Sequence, residues 1–176
     1  METASTLRQY MAFHDMRAIG LMVARAHGGI SQAESMDAGR SRLVPELDVS
    51  HLETSLAFYG AVLGFAVLYT RPEERFAYLD LDGANLMIEE AVGPGRRFRT
   101  APLAYPFGRG VNFQIEVTHV DSMLERIVAA GYAPLIPMEE QWYKTDRGLV
   151  GNRQFVVADP DGYLLRFFQG VRARND

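Results

Sequence analysis

Two phrases in this chain repeat each other, and the repeat constrains the fold more than any single residue. Val49-Ser50-His51-Leu52-Glu53 and Val117-Thr118-His119-Val120-Asp121 each open a stretch of helical spacing, and these close on Gly64-Phe65 and Gly131-Tyr132. Each half also carries an Asp-x-Asp-Gly turn before an apolar run, Asp80-Leu81-Asp82-Gly83 and Asp159-Pro160-Asp161-Gly162. His51 and His119 lie 68 residues apart and Asp80 and Asp159 lie 79 apart, so the second copy holds a longer excursion. A duplication of this kind predicts two similar modules, with a ligand cavity enclosed between half-modules.

The first module, 43–91, starts with the period-two run Leu43–Val49, read as a strand. Ser50 and Glu53 have capping-box spacing, and Leu52, Leu56, Tyr59 and Leu63 form the face of a helix that Gly64 stops. Strands are predicted at about 65–70, 75–81 and 85–90, the last two joined by a tight turn at Asp82-Gly83. Residues 92–109 are a connector rich in Gly, Pro and Arg. The second module, 110–171, repeats the order: strand 111–117, helix about 120–130, then strands at about 133–136, 152–158 and 163–169. Residues 138–151 read as a polar loop carrying Trp142, the one tryptophan, beside Tyr143; 172–176 are a tail. Strand-helix-strand-strand-strand given twice is an α+β fold of two βαβββ modules.

Residues 1–42 stand outside the repeat. Leu7, Tyr10, Met11, His14, Ala18, Leu21, Met22 and Arg25 predict one amphipathic helix, followed by a linker from Gly28-Gly29. Two readings stay open: an extension packed on the body, or a natural start at Met36. The chain has no cysteine, which excludes disulfides and thiolate metal sites and suits a cytoplasmic location. No apolar run approaches a membrane span, and a net charge of −4 argues against a nucleic-acid partner. An acidic body favours a cationic small molecule.

Strand parity sorts the candidate site residues, because alternate side chains point to opposite faces. Val44, Glu46 and Asp48 share a face; so do Asn85, Met87 and Glu89; Asn112, Gln114 and Glu116; and Leu164, Arg166 and Phe168. These mixed faces either meet solvent or line a cup, and Met87 and Phe168 on the polar side favour the cup.

Ser50-His51-Leu52-Glu53-Thr54-Ser55-Leu56-Ala57-Phe58-Tyr59, Leu86-Met87-Ile88-Glu89, Gly108–Phe113 and Asp159–Leu165 together resemble the vicinal oxygen chelate superfamily, in its bleomycin-resistance and glyoxalase-like branch. The resemblance runs from 43 to 170 and implies a U-shaped cleft, usually in a homodimer. Its metalloenzymes place ligands at four strand positions that correspond here to Val44, Glu89, Asn112 and Arg166. Only Glu89 is a good ligand, and Arg166 brings a charge that opposes a cation. No metal, cofactor or catalytic set is therefore expected. His14, His27, His51 and His119 read as structural or surface residues.

A chelate fold without its metal resembles the bleomycin-binding proteins, which sequester the antibiotic without turnover. Glu46, Asp48, Glu89 and Glu116 would supply charge for a cationic aromatic ligand, Asn112, Gln114 and Arg166 further polar contacts, and Trp142, Tyr143 and Phe168 ring faces. Trp142 reads equally as a plug closing the second module, and Arg166 as a salt-bridge partner of Glu89 across the cavity. The rival readings are a metal-dependent lyase or dioxygenase of the same superfamily, and a metal-free member acting on another small molecule with Glu89 as general base.

Overall fold

The computed structural model describes residues 41–171. The predicted N-terminal helix and linker to Arg40, the start at Met36 and the tail at 172–176 lie outside the described residues. Within 41–171 the chain forms two four-stranded sheets, each with one helix, and the α+β repeat stands as expected. In the first module β1 is Glu46–Val49, α1 is Leu52–Leu56 continuing as a π-helical stretch Ala57–Leu63, and β2, β3 and β4 are Ala66–Arg71, Phe76–Leu81 and Ala84–Glu90. In the second, β5 is Asn112–Glu116, α2 is Val120–Ala129, and β6, β7 and β8 are Ile136–Thr145, Gly148–Ala158 and Leu164–Val171. The strand orders are β1-β4-β3-β2 and β5-β8-β7-β6, the same topology twice. The first strand of each module runs parallel to the last, with Leu47 beside Ile88 and Ile115 beside Phe167.

Four elements differ from the sequence expectation. The strand read at about 133–136 does not form, because β6 begins only at Ile136. The presumed loop at 138–151 is most of a long β-hairpin, in which Glu139 to Thr145 pair with Gln154 to Gly148. Polar composition hid this arm, because main-chain pairing needs no apolar alternation once both faces are wet. The helix face also shifts: Leu56 is only half-buried, whereas Phe58 and Tyr59 are both fully buried. The wider turn of the π stretch, a local insertion in the helical ladder, turns two adjacent aromatics inward.

The Ser50/Glu53 capping box does not form. His51 occupies the N-cap position without a side-chain cap, the Leu52 amide donates to Glu90 Oε2 at 3.0 Å, and Glu53 pairs with Arg75 at 2.8 Å. A carboxylate from β4 thus meets the positive end of the helix and replaces the local cap. The Asp82-Gly83 turn is as read: both residues have positive φ, 50° and 92°, as a two-residue turn of the primed type requires.

The two Asp-x-Asp-Gly turns have different jobs. Asp80 serves its own hairpin, accepting from the Gly83 amide and the Asn85 side chain. The second turn joins the modules. Asp159 Oδ2 accepts from the Tyr59 hydroxyl at 2.9 Å, while its Oδ1 accepts from the amides of Asp161 and Tyr163 at 3.0 and 2.8 Å. Asp161 Oδ2 accepts from the Ser50 amide at 3.0 Å, and the Tyr163 hydroxyl donates to the Asp48 carbonyl at 3.1 Å. Phe58 meets Tyr132 edge-on at 4.7 Å, and Arg126 on α2 reaches the Leu63 carbonyl at the end of α1. One continuous core results, containing Leu47, Val49, Leu79 and Ile88 of the first sheet, Ile115, Phe155, Leu165 and Phe167 of the second, and the inner faces of both helices. No helix among the described residues is long and apolar enough to cross a membrane.

Asp159 is 3% exposed, and its burial pushes its pKa up from 3.8 to about 6, against the pull of its hydrogen bonds with Tyr163 and Tyr59. A carboxyl raised in the folded state adds stability in acid and loses it as pH rises through the folded value. The difference between 3.8 and about 6 corresponds to about 3 kcal/mol. Urea unfolding of wild type and Asp159→Asn should therefore diverge with pH: wild-type stability relative to the variant falls by up to about 3 kcal/mol from pH 3.5 to pH 7. A pH-independent difference would show that Asp159 titrates alike folded and unfolded. Tyr59→Phe, which strips one donor from a buried carboxylate, should cost about 1–3 kcal/mol at neutral pH by the same measurement.

Candidate ligand-binding site

Both sheets turn their helix-bearing sides into the shared core, which leaves the opposite face of each sheet as the place for a ligand. Pairing registers identify those faces. On the first sheet Glu46 lies beside Met87, Asp48 beside Glu89, Phe76 beside Glu89 and Tyr78 beside Met87. Tyr69 stacks on Tyr78 with ring centroids 5.1 Å apart, and the Arg71 guanidinium covers the Phe76 ring at 3.8 Å. On the second sheet Asn112 pairs with Leu164, Gln114 with Arg166, Glu116 with Phe168, and Phe168 with Gln154. Tyr143 joins this face through its hydroxyl, 3.4 Å from Gln154 Oε1, while Gln154 Nε2 donates to Glu139 at 3.0 Å.

Nine of the ten expected residues thus lie on open sheet faces: Glu46, Asp48 and Glu89 on the first, and Asn112, Gln114, Glu116, Tyr143, Arg166 and Phe168 on the second. Trp142 does not share the face of Tyr143. It pairs with Gly151 on the helix-bearing side of the arm, and its indole lies so close that a Cβ at Gly151 would stand 2.7 Å from the ring. Adjacent residues of a strand point oppositely, so the arm separates these two aromatics.

The electrostatics of the first face also depart from expectation. A cavity of about 70 Å³ is lined by Glu46, Asp48, Glu89, Arg96, Arg97 and Phe98. Arg97 from the connector, not Arg166 from the other module, pairs with Glu89. It also lies 3.6 Å from Asp48, which Arg99 holds through two bonds of 2.8 and 2.6 Å. Arg166 instead donates to Gln114 on the neighbouring strand. The expected salt bridge across a cavity is absent because Glu89 and Arg166 belong to different open faces. Among the described residues no arginine stands at bonding distance from Glu46; burial, followed by a hydrogen bond with Glu89, raises its pKa.

The four chelate positions fit no metal ion. Val44 has no donor atom, Asn112 is exposed, Glu89 is ion-paired and Arg166 is cationic. Among the described residues no three His, Cys, Asp or Glu side chains converge as a metal group would need. Residues that sequence reasoning missed are Tyr69, Phe76, Tyr78, Arg97, Arg99 and Gln154. Period-two parity extended to β2, β3 and β7 would have found the aromatics and Gln154; nothing local signals where the connector arginines fold.

Residues 44–167 match the model of the Glyoxalase/Bleomycin resistance protein/Dioxygenase superfamily. A bleomycin resistance protein of Geobacillus stearothermophilus is 30% identical over 137 residues, covering 74% of this chain and 97% of that protein. One from Staphylococcus aureus strain MRSA252 matches to the same extent. Among solved structures, TioX from Micromonospora sp. ML1 superposes with a TM-score of 0.57 at 24% identity, covering 74% of this chain and 99% of its own. Virulence protein STM3117 from Salmonella typhimurium does so with 0.57 at 20%, covering 74% and 98%. The chain belongs to the glyoxalase/bleomycin resistance/dioxygenase superfamily, as the sequence resemblance implied.

With this donor set, protein dialysed against Mn²⁺, Fe²⁺ or Zn²⁺ should retain far less than one metal per chain by elemental analysis. One tightly held equivalent would mean that Glu46 and Glu89 recruit a cation despite Arg97.

Proposed function

We propose that this protein binds and sequesters a cationic, flat-ringed small molecule of the bleomycin type without transforming it, as a cytoplasmic homodimer. The observation that carries this reading is a chelate fold whose four ligand positions hold Val44, Glu89, Asn112 and Arg166, with Glu89 committed to Arg97. The relatives at 30% identity described as bleomycin resistance proteins support it. The first open face supplies carboxylates and the half-buried ring of Tyr69, backed by the buried Tyr78; the second supplies Phe168, Tyr143 and amide side chains. Because one chain turns these faces away from its common core, a groove lined by both needs a second copy, each chain giving one face. A cavity of about 70 Å³ is well below the few hundred Å³ of a ligand site and favours that larger groove for a glycopeptide. Trp142, 41% exposed, points to the other side of the arm and so lies outside this groove.

Calorimetric titration with metal-free and copper-loaded bleomycin tests the reading. Near one ligand per chain is expected, from a species of twice the 19.7 kDa chain mass by light scattering. Phe168→Ala should weaken binding about tenfold, the scale of one lost aromatic contact, whereas Trp142→Ala, on the other side of the arm, should leave it unchanged. No heat with either form would remove the antibiotic from consideration and leave the fold to another ligand.

A further inference from the structure

The connector between the modules lies on the charge-bearing end of the first open face. Its start is pinned by main-chain bonds from Ala91 to Val49 and from Gly93 to Glu90, and its end by the bond from Phe107 to Asp161. Among the described residues, 94–104 make no main-chain hydrogen bond with another main-chain group. Side chains hold this stretch instead. Arg97 donates to Glu89 and to the Glu90 carbonyl, while Arg99 grips Asp48 and the Ala91 carbonyl at 2.7 Å. The fit is close at Gly95, where a Cβ would stand 1.7 Å from Glu89 Oε1. The fit is also incomplete, since Arg97 Nε is buried without a hydrogen-bond acceptor among the described residues. Glu89 is 3% exposed, so its charge needs a cation against it, and the chain supplies that cation from a segment tied down only by side chains.

We propose that residues 93–99 are a self-inhibiting strap: the guanidiniums of Arg97 and Arg99 occupy the carboxylates of Glu89 and Asp48, and a ligand's guanidinium-like cation gains this face by displacing them. The proposal rests on the reading that this face takes a cationic ligand. The strap turns the face into an exchange site. A monovalent cation with several N–H donors and a flat shape repeats the bonds that Arg97 makes, whereas a bare metal ion does not satisfy the same geometry. Selectivity follows, because a ligand must offer at least what the strap offers before it is admitted.

Butylguanidinium is the probe, added to full-length wild type, Arg97→Ala and Gly95→Ala. Gly95→Ala is the informative variant, because it keeps every charge and sets a methyl group where the Glu89 carboxylate and the Arg97 guanidinium meet, so that the pair must part. Both variants should bind butylguanidinium about tenfold more tightly than wild type, as expected when an internal competitor is removed. The probe should also raise the melting temperature of Arg97→Ala by refilling the position beside Glu89. In wild type it should speed tryptic cleavage after Arg97 and Arg99 and shift the amide signals of 91–99. Equal affinity in all three proteins, or binding by none, overturns the strap. If Arg97→Ala does not fold, Gly95→Ala and the wild-type cleavage rate decide. Bleomycin in parallel separates this proposal from the one it rests on. A response to butylguanidinium with silence toward bleomycin keeps the strap and removes the antibiotic. Tight bleomycin binding that leaves the tryptic sites and the 91–99 amides unmoved keeps the antibiotic and removes the strap.

Discussion

The buried bond from the Tyr59 hydroxyl to Asp159 holds two modules in one fold. Each βαβββ unit has a helix too short to cover its sheet alone, so both must share a core, and a shared core needs a fixed relative placement. The second Asp-Pro-Asp-Gly turn provides it with three polar ties, to Tyr59, to the Ser50 amide and, through Tyr163, to the Asp48 carbonyl. Two of these ties end within two residues of the β1–α1 junction. They also fix the strand that carries Glu46 and Asp48, which links the clasp to the candidate site. The cost is a carboxyl held where water cannot reach it, which is why the pKa of Asp159 climbs to about 6.

With the modules placed helix side to helix side, the open faces are left on the outside of the common core and differ in character. The first is aromatic and ionic: Tyr69 stacked on the buried Tyr78, Phe76 under Arg71, and carboxylates of which Asp48 and Glu89 are paired with arginines. The second is rich in amides, with Gln114, Asn152 and Gln154 around Arg166 and Phe168. Of the four chelate positions Glu89 is ion-paired with Arg97, Arg166 is bonded to Gln114, and Val44 and Asn112 are uncharged. Arg97 beside Glu89 brings the positive charge that a metal ion supplies elsewhere in the superfamily, without an open coordination position for substrate. Recognition by stacking and charge is what such surfaces can do.

The internal repeat, the helix closed at Gly64, the Asp82-Gly83 turn and the parity of β1, β4, β5 and β8 were all readable from residue order. Each follows from a local rule: period-two alternation, a helical stripe, or a turn that needs positive φ. The same parity put eight of the ten candidate residues on these faces; Tyr143 reached one only through the arm. The misreadings share a different cause. The arm 136–158 reads in part as a loop because its pairing is main-chain to main-chain, which composition does not record. The capping box at Ser50 lost to Glu90, a residue 40 positions away in sequence. Trp142 and Tyr143 were grouped by adjacency, although adjacency in a strand means opposite faces.

Sequence alone therefore determined the architecture of each module, its membership in a superfamily and the loss of the chelating donors, because these depend on residues near one another or at equivalent repeat positions. Tertiary structure decided which side of each module meets the other, and which cation answers each carboxylate. Arg97 and Arg99 lie in a Gly- and Pro-rich connector with no periodicity, so nothing in their neighbours states where they go. Their destination is set by the unpaired charge of Glu89 and Asp48 on a face that exists only once the sheet has formed.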